Sequence, residues 1–248
     1  MLPLRDDNPT TLTPIITLGL IGANLLAFLW QLSWGLQASA LAYGLIPAEL
    51  VRAADIEFLL RNRFEGTETL VRNLDPAALT IVTSMFLHGS WLHVLGNMWW
   101  LWIFGNNIED RLGHGRFIVF YVVCGVAAAA AQVAMGADSR TPMVGASGAL
   151  SGVLGAYLVV YPHSRVLCLT TFFIIGTVEL PAKLVLGFWF ALQIFNGLVS
   201  LGPSVSGGGV AYAAHVGGFI AGWMLIRLME PNSSGPTRWR ERPDFMDR

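Results

Sequence analysis

Four side chains in this sequence are of the types that activate a nucleophile and stabilise the charge that follows. Ser147 stands in VGASGALSG, His215 in AYAAHVGGFIAG, and His93 and Asn97 lie four residues apart in LHVLGN. A serine hydroxyl attacks a carbonyl well only when a base takes its proton. An imidazole, with an ordinary pKa of ~6.5, suits that task. Ser147 directly follows Gly145 and Ala146 at the start of an apolar run. The first four amides of a helix lack partners inside it, so they can donate to a developing oxyanion. The i, i+4 spacing puts His93 and Asn97 on one helix face, from which both can donate as well. Nucleophile, base and oxyanion donors are the set required for acyl transfer. No Asp or Glu lies in the run around His215. The pattern is therefore a Ser–His dyad without a carboxylate to orient the base.

The elements that must position these groups are hydrophobic. Of 248 residues, 54% are hydrophobic and only 12% charged, about half the charge of a soluble domain. Mean hydropathy is +0.57. Such a composition excludes a disordered chain, a coiled coil and an ordinary soluble enzyme. A net charge of −1 gives no electrostatic case for nucleic acid. Cys124 and Cys168, both in apolar surroundings, make neither a disulfide framework nor a metal spacing, and no cofactor is implied. Apolar runs fall at residues 14–35, 92–106, 117–135, 145–161, 182–201 and 210–229. They lack the alternation of barrel strands, so the expected fold is an all-α membrane protein of six transmembrane helices. One membrane domain, residues 14–230, then lies between a short N-terminal segment, 1–13, and a polar tail, 231–248. The run VLCLTTFFIIGTV at 166–178 is short for a span and is read as interfacial or as a lead-in to the fifth. A long loop, about 37–79, joins the first two spans; its apolar stretches such as IEFLL suggest that it packs or lies on the membrane.

Lys and Arg set the orientation. With the N-terminus inside, Arg5, Arg111, Arg116, Arg165, Lys183, Arg227, Arg238, Arg240, Arg242 and Arg248 are inside, and Arg52, Arg61, Arg63, Arg72 and Arg140 are outside. Ten against five places both termini in the cytoplasm and the four reactive residues at a shallow outer depth. The N-terminal MLPLRDDNPT lacks a cleavable-signal pattern. Gly148, Gly152 and Ala156 are four apart, as are Gly218 and Gly222. Such small-residue faces let helix backbones meet and bring Ser147 opposite His215.

Each piece also has a plainer reading. An intramembrane serine is commonly bonded to its own helix, and Asn97 alone reads as an interhelical hydrogen bond. Trp99, Trp100 and Trp102 read as bulk. Gln31, Gln132, Gln193 and Asn196 read as structural. His88, His114 and His163 flank spans, where a histidine needs no special role. A haem or metal protein using His93 and His215, or a small transporter, stays open on spacing alone. The histidines are shallow for haem, though, and no pair of broken polar helices marks a transporter.

Taken jointly, the motifs resemble the rhomboid family of intramembrane serine proteases. The elements FLHGSWLHVLGN, VGASG and AHVGGFIAG, together with IEDRLGHG after the second span, occur here in that family's order. The resemblance covers nearly the whole chain. It implies a six-helix core with Ser147 as nucleophile and His215 as base. His93, Asn97, the Ser147 amide and Gly145 would form the oxyanion hole. His88 would support the packing around it, as Gly148, Gly218, Gly222, Glu109 and Arg111 would support the fold. The segment GPSVSGGG before the sixth span would be a cap, and the fifth span a lateral gate. Substrates would be single-span membrane proteins in the lipid bilayer, cut near the outer face. A non-catalytic relative that binds transmembrane clients is the alternative. Two departures stand out: Ser151 occupies a position where some members stack an aromatic ring on the base, and the first loop has no Trp-Arg pair.

Overall fold

In a bilayer each backbone polar group must be satisfied within the protein, and the apolar runs meet this by forming helices. The computed structural model describes residues 2–51, 77–170, 176–200 and 210–230. Its long helices are α1 (Ile15–Trp34), α2 (Trp91–Leu112), α3 (His114–Met135), α4 (Ser147–Val160), α5 (Ala182–Ser200) and α6 (Tyr212–Met229). Each coincides with one of the six apolar runs. The chain is a helical membrane bundle. Among the described residues, α1, α3, α5 and α6 are each long and apolar enough to cross a membrane. Residues 77–86 and α2 meet that criterion together, as a pair bent by 79°. Helix α4 has only 14 residues and is enclosed by α2, α3, α5 and α6. Every residue from Ala149 to Tyr157 is buried.

Glycine lets α4 and α6 touch. A Cβ added at Gly218 would collide with the Gly148 carbonyl, one at Gly222 with the Gly152 carbonyl, and one at Gly155 with the Phe219 carbonyl. The Gly148 and Gly152 faces likewise sit against Ala128 and Cys124 of α3. Backbone contact over this length replaces the hydrophobic driving force that lipid removes.

Helix α2 is closed at both ends. Ser90 accepts a hydrogen bond from the His93 amide at 3.2 Å, an N-cap. Gly113, at φ +75°, ends the helix and turns the chain directly into α3. The buried Glu109 carboxylate near this end accepts from the Ile16 and Thr17 amides, the Thr17 hydroxyl and the His114 ring. It thereby satisfies the open N-terminus of α1 from a neighbouring helix. Asp110 holds Thr11 and Leu12, and Arg111 pairs with Glu230 just past α6.

The same end carries an unexpected sheet. Strands β1 (Leu2–Asp6), β2 (Arg165–Thr170) and β3 (Gly176–Pro181) are antiparallel in the order β1-β2-β3. Leu2 pairs with Leu169, Asp6 with Val166, and Arg165 with Pro181. The run at 166–178, read as interfacial or as a lead-in to the fifth span, does lead into α5, since β3 ends at Pro181 and α5 begins at Ala182, but it does so as strands. Its described parts belong to two strands, which the N-terminal segment extends to three. In the first loop, Leu36–Tyr43 and Pro47–Val51 are short helices and Thr80–Thr83 is a helical turn. IEFLL, GPSVSGGG and the tail from 231 lie outside the described residues.

Candidate active site

Two anchors set the level of the reactive groups. Asn107 of α2 and Tyr157 of α4 both donate to the Asp6 carboxylate, at 2.7 and 2.6 Å. Asn97 lies ten residues before Asn107, and Ser147 ten before Tyr157. At a rise of about 1.5 Å per residue both sit about 15 Å from the common anchor. The short α4 therefore starts its helix at the depth of Asn97 rather than at the head of α2.

At that level Ser147 Oγ is 2.8 Å from His215 Nε2. His215 Nδ1 in turn lies 2.8 Å from Gln193 Oε1 of α5. The Trp189 ring, also on α5, is 6.0 Å from the imidazole centroid at a tilt of 36°. Tyr212 meets it edge-on at 6.5 Å. Ring contact thus comes from α5 and α6, not from α4. Ser151 instead donates its hydroxyl to the Ser147 carbonyl at 2.6 Å, a bond to its own helix.

The donor side is built by α2 and the loop before α4. Gly145 has φ +129° and its amide donates to the Ser84 carbonyl at 2.9 Å. A Cβ there would lie 2.8 Å from the His93 ring and 3.5 Å from Ser147 Oγ. Both the backbone angle and the missing side chain therefore require glycine. Asn97, buried, has Nδ2 2.9 Å from His88 Nε2. An amide nitrogen only donates, so Nε2 accepts and the neutral His88 carries its proton on Nδ1. The Ala146 amide, 3.5 Å from the same nitrogen, agrees with that assignment. One Asn97 N–H remains for another acceptor. The His88 and His93 rings meet edge to face at 5.0 Å.

The structure thus brings Ser147, His215, His93, Asn97, Gly145 and His88 together. It puts Gly148, Gly218 and Gly222 at the α4–α6 contact. Glu109 and Arg111 lie at the other end of α2, about 24 Å of helix from His93. His88 is fully buried, not a solvated flanking residue. Three glutamines set aside as structural reach the site as well. Gln31 accepts from the His88 amide at 2.8 Å, and Gln132 accepts from the Ala214 amide at 3.2 Å. Gln193 touches His215 itself. An amide inside an apolar run must find a partner, but the sequence does not say which.

The sequence profile of the Rhomboid domain matches residues 76–231, a stretch that holds α2 to α6 and every residue of this site except Gln31. The chain belongs to the rhomboid family. It is 30% identical to the mitochondrial Rhomboid protein 1 of Saccharomyces cerevisiae, over 65% of this chain and 46% of that protein. It is 28% identical to RHOMBOID-like protein 5 of Arabidopsis thaliana, over 61% and 44%. It is 31% identical to the Rhomboid protease GluP of Bacillus subtilis, over 60% and 25%. The chain spans less than half the length of these relatives. This rhomboid is a multi-pass integral membrane protein.

Proposed function

We propose that this rhomboid is an intramembrane serine endopeptidase that cleaves single-span membrane proteins near one membrane face. The observation that carries the reading is the 2.8 Å contact between Ser147 Oγ and His215 Nε2 at the head of a short, enclosed helix. His215 takes the hydroxyl proton as Oγ bonds to the scissile carbonyl carbon, and returns it to the leaving amide nitrogen. The Ser147 amide, the free Asn97 N–H and the His93 ring surround the space into which the oxyanion grows. The Gly145 backbone leaves that space open. A transmembrane helix hides its carbonyls in its own hydrogen bonds, so weak helix formers near the cut are favoured.

Substrate approaches past α5, whose buried residues are Ala182, Val185 and Leu186 at its start. The remainder presents Phe188, Leu192, Phe195 and Leu198 outward. In a bacterial plasma membrane, which the polar ends and unpaired cysteines suit, the excess of Lys and Arg at the sheet end supports cytoplasmic termini, with the site at the outer face.

The test is cleavage of a single-span substrate with a small residue at the cut site, in liposomes. The native chain is expected to cleave, and Ser147→Ala and His215→Ala to lose cleavage while remaining folded. A fluorophosphonate should label Ser147 only when His215 is present. Native protein that neither cleaves nor takes up label would instead be a relative that binds transmembrane clients.

A further inference from the structure

The base in this site has a second hydrogen-bond partner, and it sits on the helix least held by the bundle. Gln193 Oε1 lies 2.8 Å from His215 Nδ1, while His215 Nε2 faces the Ser147 hydroxyl at the same distance. An amide oxygen only accepts, so Nδ1 carries the ring proton. Nε2 is then the bare nitrogen, the one turned to serine. The two contacts are compatible with one tautomer, and it is the one that can take the hydroxyl proton. Among the described residues, Gln193 makes the only side-chain hydrogen bond from α5 to another helix.

We propose that Gln193 is the positioning residue for the base, so that Ser147, His215 and Gln193 form a triad whose third member rides on α5. The inference rests on the hydrolase reading above. When His215 takes the proton from Ser147, both ring nitrogens carry hydrogen. The Nδ1–H still points at the amide oxygen, whose dipole favours the imidazolium without a buried counter-charge. An amide suffices where a carboxylate would be costly to hold in the bundle. Because Gln193 belongs to α5, a displacement of that helix removes the constraint on the ring. The competence of the base is therefore tied to the position of α5.

The electrostatic surroundings of the ring are sparse. His93 of α2 and Tyr212 of α6 are the titratable groups that face it among the described residues. Gln132 of α3, Ser147 of α4 and Trp189 of α5 carry no charge. A charge introduced at 193 is thus felt directly.

The experiment compares the native chain with Gln193→Leu and Gln193→Glu. It measures cleavage of the single-span substrate against pH, and the ¹⁵N signals of the His215 ring, identified by their loss in His215→Asn. Gln193→Leu should lower kcat by about 10- to 100-fold, short of the roughly 10²–10⁴-fold of a lost base, with KM within about twofold. Its acid limb should move to lower pH and its ring signals report a tautomer mixture. Gln193→Glu should retain most of the rate and move the acid limb up by about one unit, because a neighbouring carboxylate favours the imidazolium. A purely structural role does not move the acid limb in opposite directions in the two variants. Variants that cleave with the native pH profile, or a native ring protonated on Nε2, overturn the assignment. A native protein that neither cleaves nor takes up fluorophosphonate overturns the hydrolase reading and Gln193's part in it together. A native protein that does both, with unchanged variants, overturns Gln193 alone.

Discussion

At the scale of single residues, the proposed oxyanion hole relies on two side chains with different jobs. Asn97 gives one N–H to His88, which holds the amide in place; the proposed mechanism assigns the other N–H to the oxyanion. Asn97→Ala should reduce kcat about 10- to 1,000-fold with KM little changed, as for loss of one oxyanion donor. Initial rates across substrate concentration check this, and an unchanged kcat removes Asn97 from the mechanism. Ser147, His215, His93 and Asn97 were legible in the sequence because their types are chemically distinctive and their spacing fits helices. Gln193 was not. A neutral amide in a helix of Phe, Leu and Ile carries no spacing signature, and only the packing of α5 on α6 reveals what it meets.

At the scale of elements, α5 is set apart by how little of it the bundle covers. Its outer half leans on α6 through Phe190 stacked on Phe219 at 4.1 Å, and through Gly197 beside Tyr212. An added Cβ at Gly197 would lie 3.3 Å from the Tyr212 Cβ, close to the separation a disulfide needs. A Gly197→Cys, Tyr212→Cys pair, in a background with Cys124 and Cys168 replaced, should therefore bridge α5 to α6 on oxidation. Cleavage of a single-span substrate should fall at least about tenfold when α5 cannot move, and recover on reduction. Fluorophosphonate labelling should persist, since a small reagent needs no passage between helices. Full cleavage by the bridged protein would remove α5 as the side of approach. The six long helices themselves were legible from apolar length. The sheet was not: β2 reads as one more apolar run, and its partner β1 lies some 160 residues away in sequence. Pairings that distant leave no local pattern.

At the scale of the whole molecule, the N-terminal strand is linked to the reactive helix through one half-buried carboxylate. Asp6 takes hydrogen bonds from Tyr157 of α4 and Asn107 of α2, and Asn8 donates to the same tyrosine oxygen. Burial nevertheless pushes the Asp6 carboxyl up from 3.8 to about 6, outweighing the bonds from Tyr157 and Asn107 that favour its charged form. In the unfolded chain the group ionises near its ordinary value. Between about pH 4 and 6 the folded protein therefore keeps a proton that the unfolded chain has released. Linkage then makes stability fall as pH rises through that window and level off above it. An amide at this position accepts from Tyr157 and Asn107 without ionising. The thermal midpoint of Asp6→Asn in micelles, relative to native protein, should therefore climb from pH 4 to 6 and stay constant beyond. Subtracting one curve from the other cancels the remaining titrating groups, which both proteins share. A flat difference across the window would mean that Asp6 ionises as freely in the bundle as in water. It would also deny that the sheet is held to α2 and α4 through a desolvated carboxylate. A difference of the expected sign makes this contact the place where pH acts on the end of the bundle opposite the serine.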